Sequence, residues 1–156
     1  MFVFFLRGAN ALLDELEKKL NRAAEEAADE ARPIFIDAIT QITIDDAFSI
    51  LNGSNDAATL YLEGKTAAQL YTAFKPDIEN ALTMVGAQQA WNEVIDLYNT
   101  VPFVTPVNAD LADHTTNRAL DGLFHLVAEE ETKIRTDASH QVNETLQKVF
   151  GDWFMI

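Results

Sequence analysis

Nowhere does the chain alternate apolar and polar residues with period two for long enough to make a strand, whereas its apolar residues recur at helical spacing in one segment after another. That pattern commits it to helices. Only six glycines and four prolines interrupt 156 residues, and the abundant Ala, Leu and Glu are strong helix formers. The expected architecture is all-α, a compact single-domain bundle of six to eight helices with no sheet. A chain of this length removes roughly 70% of its unfolded surface from water, so its core needs no disulfide or metal. With no cysteine, thiolate metal sites and thiol nucleophiles are excluded. Eleven basic residues face twenty-five acidic ones, a formal net charge of -14. Such a field repels phosphate backbones and anionic lipid headgroups, so nucleic acid is not an expected partner.

Three stretches follow from the pattern: an apolar N-terminal segment (1–8), a helical domain (9–151) and an apolar C-terminal tail (152–156). The N-terminal apolar run is shorter than a signal peptide's core, and no run reaches the length of a membrane span, so neither a leader nor a transmembrane segment is expected in this chain. Asn10 reads as the cap of a first helix with Leu12, Leu16, Leu20 and the alanines to Ala31 on one stripe, ended by Pro33. Ile34, Phe35, Ala38, Ile39 and Ile42 continue on a second helix. Thr43 with Asp46 three residues later forms a capping arrangement for a short helix. In Asn52-Gly53-Ser54-Asn55-Asp56, Gly53 is expected as a left-handed helix stop and Ser54 or Asn55 as the next cap. Thr66 is expected to cap a longer segment to Gly86, one helix kinked at Pro76, the alternative being two helices that meet there. Val101 to Asn108, with two prolines, is the one long non-helical stretch. The longest helix follows over about Ala109 to Thr136, then a break at Asp137-Ala138-Ser139 and a last helix stopped by Gly151.

The long helix carries the residues most open to a chemical reading. His114, Arg118, Asp121, His125 and Glu129 share one narrow face, and a carboxylate and an imidazole one turn apart can share a divalent metal. At helical rise His114 and His125 lie about 16 Å apart and cannot hold one ion. The plainer expectation is a solvated face with intrahelical ion pairs. Glu130 lies among Ala119, Leu123, Leu126, Val127 and Ile134 on the helical wheel, so it is expected to face the core, bonded to a cap or an arginine. Asp45 and Asp46 complement a helix dipole. No nucleophile elbow, phosphate-cradling glycine loop or aromatic-interleaved basic patch is found. These residues name no catalytic group, cofactor site or metal site.

Five segments carry a family resemblance: Asn21-Arg22-Ala23-Ala24-Glu25; Leu51-Asn52-Gly53 with Ala57-Ala58-Thr59; Ala119-Leu120-Asp121-Gly122-Leu123-Phe124; Glu129-Glu130-Glu131 with Ile134-Arg135; and Val149-Phe150-Gly151. In this order, over about Leu12 to Gly151, the chain resembles the bacterial domain-of-unknown-function family 4197. The resemblance implies an all-helical domain, usually made with a secretory or lipoprotein leader and hence periplasmic or envelope-associated, with no assigned activity and no catalytic residues to carry over. His114 stands where tyrosine is expected and Arg118 where lysine is usual.

The resulting expectation is a non-catalytic binding or interaction module of the cell envelope, taking a protein, a lipid or a small apolar ligand, with self-association open to its apolar loop and termini. The alternative is a metal- or carboxylate-dependent enzyme centred on Asp121, His125 and Glu130. Phe103, between two prolines, is expected to close over the core; the other outcome is a contact residue.

Overall fold

The computed structural model describes residues 14, 17–22, 29–100, 102–105 and 110–151. Among them every regular element is helical and no strand occurs. Residues 17–22 are helical, as are residues 29–40, here α1. Then come α2 (Ile44–Leu51), α3 (Ala57–Met84), α4 (Ala87–Asn99), α5 (Leu111–Thr136), a 3-10 turn (Ala138–His140) and α6 (Glu144–Phe150). The cap at Asn10 and both apolar ends lie outside the described residues.

The chain forms two compact units, one of Met1–Ile34 with Ala68–Ala119, the other of Phe35–Ala67 with Leu120–Ile156. In the first, α3 contributes Leu70, Phe74, Ile78 and Leu82, an i, i+4 stripe buried along its length, and α4 contributes Ile95. Fully burying a leucine such as Leu70 stabilises by about 1.5–3 kcal/mol. Ala112 and Thr116 of α5 are also buried, the Thr116 hydroxyl donating to the Ala112 carbonyl at 2.7 Å. In the second unit Ala38, Leu120 and Phe124 are buried, and the Phe35 and Phe124 rings meet edge to face at 6.3 Å.

Several local expectations hold. Thr43 caps α2 in a reciprocal box with Asp46; Pro76 lies inside a single helix, α3, rather than between two; Gly86 stops it in the left-handed region at φ 68°. The expected break after α5 is a 3-10 turn, capped by Asp137, and α6 beyond it is capped by Asn143, two caps not anticipated from the sequence.

Four expectations are corrected. Pro33 does not end a helix, because α1 is continuous across it. Thr66 is not a cap: it is buried inside α3, and its hydroxyl is satisfied by the Leu62 carbonyl at 2.7 Å. Gly53 is not left-handed. Asn52 ends α2, and glycine is required at 53 because a Cβ there would come within 2.6 Å of the Ala57 Cβ and 2.9 Å of the Ser49 carbonyl oxygen. Phe103 does not lie on a core: its side chain is fully exposed and its φ is 67°.

Candidate functional site

The first four amides of a helix have no partner inside it. In α3 the local residues do not supply one by side chain, since the Asp56 carboxylate accepts from the Ser54 hydroxyl. Glu131, one turn from the end of α5, does. Its Oε1 accepts from the Ala58 amide at 2.9 Å, and its Oε2 accepts from the Thr59 amide at 2.8 Å and the Thr59 hydroxyl at 2.7 Å. A carboxylate at a helix N-terminus also meets the positive end of the dipole.

Four residues on, Arg135 donates from Nε to Glu131 at 2.8 Å. The same guanidinium donates to the Ile50 carbonyl at 2.8 Å, which also accepts from the Gly53 amide at 3.3 Å, and to the Leu51 carbonyl at 3.3 Å, so it grips the C-terminus of α2. It also lies 5.2 Å from the centroid of the Phe150 ring. Both charged side chains are nearly buried, 11% exposed for Glu131 and 8% for Arg135. One turn of α5 thus ties together the end of α2, the start of α3 and the aromatic ring of α6. With both carboxylate oxygens accepting and the guanidinium spread over two helices, the pair is a clamp rather than an acid or base poised to react.

Glu130 stands next to this clamp and takes no part in it. Contrary to the expectation of a core-facing carboxylate, it is 56% exposed and pairs with Lys133 at 3.1 Å. One position is 100° on a helix, and the true buried line of α5 runs through Leu120, Phe124 and Glu131, leaving Leu126 63% exposed. A signal for the real site was present: a Glu four residues ahead of an Arg is a favourable helical pair, and a helix start without a reciprocal cap needs an acceptor from elsewhere.

The remaining face of α5 is solvated. His125 pairs with Glu129 at 3.3 Å with both side chains at least half exposed, and His114, Arg118 and Asp121 are exposed. His125 and Glu129 line an open groove with Asn55, Asp56, Thr132 and Lys133. Among the described residues no three His, Cys, Asp or Glu side chains come together as a metal set. The structure does not bring Asp121, His125 and Glu130 into one pocket.

A second polar cluster lies in the first unit. Asp110 accepts from the Asp113 amide at 2.8 Å at the start of α5 and from Lys75 at 3.0 Å, and the Tyr71 hydroxyl donates to Asp113. The Asp113 amide and Lys75 hold the Asp110 carboxyl below its usual range. The bond to Asp113 raises the Tyr71 hydroxyl, and the bond to Asp110 raises the Lys75 ammonium. Both shifts oppose the deprotonation that nucleophilic or base chemistry requires. A nearby cavity of about 320 Å³ is lined by Glu79, Thr83, Gln88, Asp110 and Ala112.

The fold and the clamp define an all-helical protein in which a nearly buried ion pair serves as the joint between helix ends. The chain belongs to the family described as protein of unknown function (DUF4197), whose model matches residues 5–151. No curated protein and no solved structure matches it. Leu51, Ala58 with Thr59, Glu131 with Arg135, and Phe150, from three of the segments that carry the resemblance, meet in the clamp.

Proposed function

We propose that the protein is a non-catalytic binding or interaction module of the bacterial envelope. The envelope placement follows from the family resemblance. The binding role is supported by one observation above others: α2 (sequence IDDAFSIL) is rich in apolar residues, yet none of its residues is buried. Ile44 is 77% and Phe48 61% exposed, and among the described residues eight of the eleven exposed large apolar residues belong to the second unit, Ile36, Ile39, Leu60 and Leu126 among them. Large apolar patches are uncommon on a soluble monomer unless something docks there.

The test is uptake of a neutral apolar dye such as Nile red by the wild type and by an Ile44→Ser/Phe48→Ser double variant. The wild type should bind dye and the variant should lose most of it, with helical circular dichroism and melting temperature retained. Equal uptake by both proteins, or none by the wild type, would overturn the reading.

A further inference from the structure

We infer that the exposed face of α2 takes a cationic amphipathic helix of a partner protein, an inference that rests on the binding-module reading. An eight-residue helix is too short to be stable alone. Here it is fixed at both ends by hydrogen bonds, by the Thr43 and Asp46 box at its start and by Arg135 on its last carbonyls. Neither device uses its apolar side chains. At helical spacing Ile44, Ala47, Phe48 and Leu51 share one face about 100° wide, and Asp45 lies directly beside it. The helix is therefore held in its presenting conformation before anything binds, which lowers the entropy lost on docking.

Charge selects among occupants. The helix carries two aspartates and no lysine or arginine, on a chain with net charge -14. Helices that lie on membranes carry the opposite charge on their polar face, and anionic headgroups would be repelled. A second copy would bring the same carboxylates face to face, which costs affinity. A small molecule such as the dye meets this outward helix face on one side only, so it gains less there than a partner helix that covers the face. An apolar stripe flanked by Lys and Arg satisfies both the Ile44 and Phe48 side chains and the Asp45 carboxylate, with helix-on-helix geometry.

The probe is a synthetic amphipathic peptide of leucine and lysine, compared by calorimetry with a peptide in which every lysine is glutamate. The full chain should bind the first and not the second. Ile44→Ser/Phe48→Ser should weaken binding by about ten-fold or more, and Asp45→Asn by about three-fold with a shallower salt dependence. Glu93→Gln, an equal charge change at an exposed position of α4 in the other unit, should leave affinity unchanged. Equal binding of the glutamate peptide, or an equal loss on Glu93→Gln, would overturn the inference. So would tighter, Phe48-dependent binding to phosphatidylcholine and phosphatidylglycerol vesicles, or Phe48-dependent dimers. If Nile red uptake depends on Ile44 and Phe48 while the lysine peptide is ignored, the cationic partner falls and the binding-module reading stands.

Discussion

Glu130 and Glu131 are chemically identical neighbours with opposite fates. Glu131 caps α3 and anchors Arg135, so Glu131→Gln should cost about 3 kcal/mol, because it leaves a nearly buried guanidinium without its counter-charge. Glu130→Gln should stay within about 0.5 kcal/mol. Chemical denaturation of the two variants decides it; equal effects would remove the clamp from the account. The sequence placed an acidic residue of this helix against the protein interior but chose the wrong one, since Ala119 and Leu126, two of the residues that frame Glu130 on the wheel, are exposed in the fold. A loop joining helices in a small bundle is expected to close over the bundle's end, but Phe103 has a φ of 67° and its ring is exposed. Phe103→Ala should change stability by less than about 1 kcal/mol, against about 3–5 kcal/mol for Phe124→Ala at the Phe35 contact. Comparable melting shifts for the two would contradict the exposed placement.

At the scale of elements, periodicity and capping chemistry were readable wherever partners lie close in sequence. The Thr43 box, the run through Pro76 and the stop at Gly86 involve neighbours within one turn. The merger of α3 across Thr66 was not readable, because whether a threonine caps a helix or sits inside it depends on burial supplied by other helices. The local caps also set an acid response. The Thr43 hydroxyl and amide hold the Asp46 carboxyl below its usual value, and the Asp113 amide and Lys75 do the same for Asp110. A depressed folded pKa means that each contribution is complete above the ordinary carboxylate value of about 4 and is lost as pH falls through the lowered one. Thr43→Ala should cost about 1 kcal/mol at neutral pH. The difference between Thr43→Ala and wild type should shrink on titration below about pH 4. A gap that widens in acid would reverse the assignment.

For the molecule as a whole, helical class was legible because it needs only spacing, whereas the clamp was not, because Glu131 meets Ala58 and Thr59 across more than seventy residues of chain. Among the described residues no helix is long and apolar enough to cross a membrane. With a net charge of -14 the folded chain works against its own repulsion. Raising salt from about 0.02 to 0.2 M should therefore raise the melting temperature, since surface repulsion is screened while the nearly buried Glu131 and Arg135 pair is shielded from ions. A fall in melting temperature would show that exposed attractive pairs dominate instead.

The clamp has a topological consequence. Because Arg135 grips the last carbonyls of α2 while Glu131 grips the first amides of α3, the exposed loop from Asn52 to Asn55 spans two ends that are already joined noncovalently. Its peptide bonds are redundant as a tether. A single proteolytic cut between Ser54 and Asn55 should yield two fragments that migrate as one species in native separation and part only in denaturant, and in Arg135→Ala, which loses the bonds that cross the cut, the same cut should release them.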